Sequence, residues 1–245
     1  MSLKYIDLFA GAGGLSEGFI RCGFEPIAHV EMNKDACDTL RTRTAFHYLK
    51  KENRIEEYYD YLKGKISRDE LWIKIPEHLI KSVINTEISP ETLPSIFEKI
   101  DKQLGKQKVD LVIGGPPCQA YSVAGRARDP KGMTEDPRNH LYKYYVEFLK
   151  RYKPKMFVFE NVPGILSANN GGYLELIFEA VREAGYELDK KVLNAKHFGV
   201  IQDRKRVIII GWKKNLKFKY PHFEENEPQY EILKESYNHA IENFH

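Results

Sequence analysis

Cys118 stands directly after Gly114-Gly115-Pro116-Pro117 and before Gln119. Two glycines let a chain turn sharply, and two prolines fix φ in the residues ahead of the thiol. Residues 109–113 form a short apolar, β-branched run that reads as a buried strand. Cys118 is therefore expected on a stiff loop at the carboxyl end of a strand. Free cysteine is among the most buried residue types, so a packed structural thiol is the plain alternative. The rigid lead-in favours a nucleophile instead. A thiol of pKa about 8.5 is only a few per cent thiolate at neutral pH, so a nearby cation would help it. Arg204 and Arg206 lie two apart just before the apolar run 207–210, so both can point the same way. Glu160 follows the apolar run 156–159 and so stands at a strand's carboxyl end, where doubly wound folds place ligands. Taken singly, the arginines read equally well as surface cations and Glu160 as a solvated loop residue.

These groups need a scaffold that gathers distant segments. Residues 5–9 read as a strand, 10–14 as a glycine turn and 15–22 as a helix with Leu15, Phe19 and Cys22 on one face. That unit opens a doubly wound sheet, in which backbone meets a ligand at a helix N-terminus. Residues 26–30 supply a second strand ending at Glu31, an acid about 20 residues past the turn, where ribose hydroxyls need a partner. An empty turn is the alternative. Ser89 and Pro90 read as N-cap and first residue of a helix. Helices are expected over 141–152 and 172–184, and strands over 156–159, 191–194 and 207–210. The fold class is thus α/β, Rossmann-like, with a mostly parallel sheet and helices on both faces. Strands ending at Phe9, Val30, Ile113 and Phe159 would bring their features to one sheet edge.

Residues 41–84 are charged, tyrosine-rich and largely helical in pattern, and read as an insertion into a catalytic domain spanning 1–220. A solvated helical excursion is the first account of it, a basic DNA-contacting face the second. Residues 221–245 read as a helical tail whose stripe of Leu233, Tyr237, Ile241 and Phe244 suits either this core or a partner. Between Cys118 and the next helix lies an irregular segment rich in Gly and Pro. Its Arg126, Arg128 and Lys131 suit phosphate contact, with a plain surface loop as the alternative.

A chain of 245 residues with 42% hydrophobic residues can bury one substantial core. Its net charge of +3 permits a nucleic-acid partner without requiring one. Cys22, Cys37 and Cys118 lack metal-ligand spacing, so neither a metal site nor a disulfide framework is expected. No stretch is long and apolar enough to span a bilayer, and there is no signal-peptide pattern; the expected setting is cytoplasmic.

Gly115-Pro116-Pro117-Cys118-Gln119 resembles the catalytic motif of the cytosine-C5 DNA methyltransferases. Asp7-Leu8-Phe9 with Gly11, Gly13 and Gly14 resembles the first motif of that family, which opens the S-adenosylmethionine (AdoMet) site. Glu160-Asn161-Val162 and Gln202-Asp203-Arg204-Lys205-Arg206 match two further motifs. The resemblance implies a Rossmann-like methyltransferase fold and methyl transfer from AdoMet to C5 of a flipped cytosine in double-stranded DNA, through a covalent Cys118 adduct. It assigns Cys118, Glu160, Arg204 and Arg206 to catalysis. To the cofactor it assigns Phe9, Gly11, Ala12, Gly14, Glu31, Met32, Glu87, Ile88, Gly115, Pro117 and Leu141, with Glu87-Ile88 standing where the family has Asp-Ile. Gln119, Ser122 and Arg126 are assigned to DNA. A restriction-modification role is implied. The family's later motif, target-recognition region and final AdoMet segment are missing from this sequence, so a truncated chain or a split enzyme with a second polypeptide is expected. A dinucleotide oxidoreductase, a tRNA cytosine-5 methyltransferase and a non-catalytic AdoMet-binding module are the alternatives.

Overall fold

The computed structural model describes residues 2–117 and 140–224. Cys118, Gln119, Ser122, Arg126 and the stripe over 233–244 lie outside the described residues. Seven strands form one sheet: β1 (Lys4–Leu8), β2 (Glu25–Glu31), β3 (Val83–Asn85), β4 (Leu111–Gly114), β5 (Met156–Asn161), β6 (Tyr186–Asn194) and β7 (Lys205–Lys213). Their order is β3-β2-β1-β4-β5-β7-β6. The first five strands run parallel, and β7 lies antiparallel between β5 and β6. The chain reverses direction across the sheet at β1, so a crevice opens beyond the carboxyl ends of β1 and β4.

Alternation along each strand explains the helical layers. On β1, β4 and β5, the side chains of Ile6, Leu8, Val112, Phe157 and Phe159 enter one core, while Tyr5, Leu111, Ile113, Met156 and Val158 enter another. Side chains of period two point to opposite faces, and strands covered on both read as unbroken apolar runs. The larger core is closed by α6 (Leu93–Leu104), α7 (Leu141–Tyr152) and α8 (Gly172–Glu183). The smaller is closed by Leu15, Phe19 and Ile20 of α1 (Gly14–Arg21). Tyr145 of α7 anchors its layer, with its hydroxyl 3.0 Å from the carbonyls of both Val112 and Val158.

The expected insertion is helical but does not start at a boundary. Helix α2 (Lys34–Lys51) runs through residue 41, burying Cys37 and Leu40 with Ala10 and Val83 near the sheet. Further along, its Ala45 and Leu49 join a separate apolar cluster. That cluster is shared with α3 (Ile55–Leu62), α4 (Arg68–Ile73) and α5 (Glu77–Lys81) through Tyr58, Leu71 and Leu79.

The structure corrects the helix start expected at Ser89. The Ser89 N–H donates to Thr92 Oγ1 (3.0 Å), and that hydroxyl donates to the Glu87 carbonyl. Residues 89–92 close a turn in this way, so Thr92 is the N-cap of α6 and Pro94, not Pro90, occupies its first turn. Strand β6 begins at Tyr186, five residues before the run 191–194 suggested. Among the described residues it pairs only with β7, and charged Glu187, Asp189, Lys190 and Lys191 along it suit an edge strand.

Candidate functional site

A cavity of about 410 Å³ opens at the carboxyl ends of β1, β2 and β4, within the range of small-molecule sites. Its apolar wall is Phe9, Val30, Met32, Ile88, Pro90, Pro117, Leu141 and Tyr144, with Gly115 beside them. Its polar lining is Thr86, Ser89 and two carboxylates, Glu31 and Glu87. Among the described residues, no lysine, arginine or histidine lines the cavity. Phe9 holds φ at 55°, a left-handed conformation that costs a bulky side chain roughly 1–2 kcal/mol. The strand end is thus bent where its ring reaches the cavity.

Backbone builds the neighbouring wall. Glu31 accepts from the Gly11 N–H at one oxygen and from the Asn33 N–H at the other, each at 2.8 Å. Asn33 in turn caps α2 by accepting from the Ala36 N–H at 2.9 Å. Asn85, at the end of β3, donates to the carbonyls of Glu31 (3.2 Å) and Met32 (2.9 Å). At Gly13 φ is 82°, and a Cβ there would lie 2.7 Å from Leu40 Cδ2, so only glycine lets α1 start so close to α2. Below the cavity, Asp7 is buried against His29 Nδ1 at 3.3 Å. Burial pushes the Asp7 carboxyl up, and the His29 contact opposes that.

Of the residues assigned to the cofactor, Phe9, Glu31, Met32, Glu87, Ile88, Gly115, Pro117 and Leu141 line this one cavity. Gly11, Ala12 and Gly14 are not among the lining residues. Gly11 acts on the cavity through its bond to Glu31, while Ala12 and Gly14 are exposed at the start of α1. Thr86, Asn85 and Tyr144 escaped the sequence reading. Tyr144 lies three residues after Leu141 on α7, the spacing at which two side chains share a helix face.

A second set of contacts joins β4, β5 and β7. Glu160 sits inside β5 opposite Ile208 rather than in a loop, and Arg206 Nε lies 2.7 Å from its Oε1. Both side chains keep about a quarter of their surface exposed, 24% for Arg206 and 27% for Glu160. A Cβ at Gly115 would meet Glu160 Oε2 at 2.7 Å and the Glu160 carbonyl at 3.1 Å. Only a residue without a side chain lets that backbone rest against the carboxylate. Asn161, buried at 3% exposure, donates from Nδ2 to the Pro116 carbonyl (3.2 Å) and accepts from the Val162 N–H (2.9 Å). Pro117 has no N–H, so the peptide it shares with Pro116 offers only an acceptor, and a side-chain donor is what can hold it. Asn161 was not singled out as a site residue, although it lies within the Glu-Asn-Val motif.

Arg204 is not brought to Glu160. It is exposed, and its backbone N–H is held by Asn194 Oδ1 at 3.1 Å. No group of three or more potential metal ligands occurs among the described residues, and no helix among them is long and apolar enough to cross a membrane.

Comparison with known proteins gives the context for this arrangement. The model of the C-5 cytosine-specific DNA methylase family matches residues 3–69 and 85–244. Type II methyltransferase M.Bpa9945I of Bacillus paralicheniformis is 40% identical, over 91% of this chain and 56% of the relative. Type II methyltransferase M1.HphI of Haemophilus parahaemolyticus is 35% identical, over 98% of this chain and 53% of the relative. The crystal structure of a prophage-encoded DNA modification methyltransferase from E. coli superposes with a TM-score of 0.60 at 26% identity, covering 90% of this chain and 49% of that one. The chain spans about half the length of the relatives it matches.

Proposed function

This chain belongs to the C-5 cytosine-specific DNA methylase family, and from that membership we propose that it carries the AdoMet site and the reacting groups of a type II DNA cytosine-5 methyltransferase of a restriction-modification system. The observation that carries the reading is the junction at Gly115: one residue lines the 410 Å³ cavity and lies against Glu160. A cofactor site and a carboxylate paired with Arg206 therefore share a wall.

The lining fits AdoMet better than a dinucleotide. Apolar side chains suit adenine, and Glu31, fixed by two backbone donors, keeps lone pairs for ribose hydroxyls. The two carboxylates, Glu31 and Glu87, suit a sulfonium and would repel a pyrophosphate. Phe9, Val30, Glu31, Met32, Glu87, Ile88, Pro117 and Leu141 would hold AdoMet, which when bound supplies an electrophilic methyl group.

The chain's own residues do the rest. Cys118 follows Gly115 by three residues in the sequence. Its thiolate adds to C6 of the target cytosine, and electron density gathers at C5 as that bond forms. Arg206 orients Glu160, which shares a proton with N3 and stabilises the charge of the adduct. After C5 is methylated, loss of the C5 proton expels Cys118 and restores the ring. The target must leave the base stack for this, at a cost of a few kcal/mol. Gln119, Ser122 and Arg126 follow Cys118 in the sequence and serve the DNA, and the exposed Arg204 serves the target nucleotide.

Target choice belongs to the half of the relatives' length that this chain does not match, in the same protein or on a second polypeptide. The test combines three measurements. Calorimetry is expected to show AdoMet binding without NAD binding. Labelled methyl is expected on duplex DNA and not on tRNA once the missing half is supplied. Cys118→Ser is expected to abolish methylation, and trapping on 5-fluorocytosine DNA, while AdoMet binding stays nearly intact. Full activity of that variant overturns the nucleophile.

A further inference from the structure

At the sheet edge opposite the cavity, the loops after α6 and α7 and the end of β7 carry Lys106, Lys108, Lys153, Lys155, Lys213 and Lys214. Backbone bonds knit these loops together: the Lys155 N–H donates to the Asp110 carbonyl (2.9 Å) and the Lys213 N–H to the Lys155 carbonyl (3.1 Å). Only Lys155 has an ion-pair partner, Asp110 at 3.1 Å; among the described residues the other five have none. Two grooves of about 770 and 600 Å³ run along this edge and share Lys153 and Lys213. No exposed large hydrophobic residue lines either groove, which disfavours a membrane surface.

Cations near helix C-termini are ordinary, since the helix dipole attracts them. Here that role is already filled by Lys102, Lys150, Arg151 and Arg182 in the last turns of α6, α7 and α8. The loop lysines come in addition. Seven cations line the two grooves against three carboxylates, Asp101, Asp110 and Glu183. Two of those are taken up by Arg151 and Lys155, so an excess of positive charge is left for an outside anion to offset.

We infer that this edge is a second, sequence-independent docking surface for the phosphate backbone of duplex DNA, separate from the methylation site. Adjacent strands lie about 4.8 Å apart, so β4 to β7 spans about 10 Å. One DNA strand presents about three phosphates over that length. Lysine ammoniums contact phosphate as point charges without reading bases. The surface faces away from the carboxylate-bearing edge, so it takes a DNA segment other than the one being modified. It would hold the protein on DNA between target sites. The inference rests on the reading of this chain as a DNA methyltransferase.

The test is fluorescence anisotropy of the whole chain on a 40-base-pair duplex, without cofactor, over a salt series. In the triple variant K108Q/K153Q/K214Q, three phosphate contacts are lost. The slope of log affinity against log salt is expected to shrink by about 2.7, or 0.9 for each contact. AdoMet binding measured alongside is expected to match the parent, which shows that the variant is folded. A parent-like salt slope in such a folded variant overturns the surface. Tighter binding of tRNA or anionic phospholipid vesicles than of duplex, through the same lysines, overturns its assignment to DNA. A parent that binds NAD in place of AdoMet yet shows the lysine-dependent slope would refute the methyltransferase reading and leave the docking surface standing.

Discussion

The two halves of the reactive sheet edge are built by different means. On the β1–β2 side, the carboxylate in the wall is held by residues close in sequence: Glu31 at the end of β2 is fixed by the backbone N–H groups of Gly11 and Asn33, while residues 86–90 after β3 add the rest of that wall. On the β4–β5–β7 side, Gly115, Glu160, Asn161 and Arg206 come from segments tens of residues apart and meet through side chains. The support of Glu31 is a local device that closes as its own loops fold. The β4–β5–β7 side exists only when three strands have found their register, so single substitutions there should act on chemistry more than on ligand affinity.

Gly115→Ala tests that contrast most severely. A Cβ placed 2.7 Å from Glu160 Oε2 forces the carboxylate or the loop to move. Overpacking of this kind costs about 1–3 kcal/mol, and spent on misplacing Glu160 it would slow methylation by about 10–100-fold. Because Gly115 also touches the cavity, AdoMet affinity should fall only a few-fold. An equal loss in both, read by single-turnover methylation and calorimetry, would erase the distinction between the halves.

Glu31→Gln probes the other side. It removes the charge from two backbone hydrogen bonds, worth about 1.4 kcal/mol, so AdoMet affinity should fall about tenfold. The rate at saturating AdoMet should stay near the parent value. A lower saturated rate with unchanged affinity would reverse the assignment of Glu31.

The smallest effect concerns Glu17 on α1, which bonds His47 of α2 and Arg21 of its own helix. Burial raises its pKa, but those bonds and the charges of His47 and Arg43 outweigh it and hold the carboxyl at about 2. A carboxylate depressed in the folded state contributes stability above its unfolded value of about 4.5. That contribution is lost as pH falls from there toward 2. Acid unfolding followed by circular dichroism should lose part of its low-pH limb in Glu17→Gln, with AdoMet binding at pH 7 unchanged. An identical acid profile in the two proteins would discard the clamp between α1 and α2.

The β1–β2 part of the cofactor side was legible in the sequence because its residues are local. A strand, a glycine turn, a helix and an acid at the right distance imply one another. Glu160 and Arg206 were legible through motifs, but the antiparallel return of β7 beside β5 that brings them together was not, since nothing in either segment shows it. Asn161 and Tyr144 were missed for a related reason: one matters through a carbonyl 45 residues away, the other through the cavity its helix happens to face. The helix start was misplaced because Ser-Pro satisfies a capping rule equally well as a turn, and Thr92 decides between the two through its contacts with Ser89 and Glu87.

The antiparallel course of β7 governs how this sequence can change length. Arg206 reaches Glu160 only while Val207 stays opposite Asn161 and Ile208 opposite Glu160. One residue gained or lost between Arg206 and Trp212 would swing the guanidinium to the other face of the sheet, however conservative the residue itself. The turn at 195–201, ahead of the segment that Asn194 holds through Asp203 and Arg204, has no such phase to keep. Natural insertions and deletions should therefore gather in that turn and spare the strand.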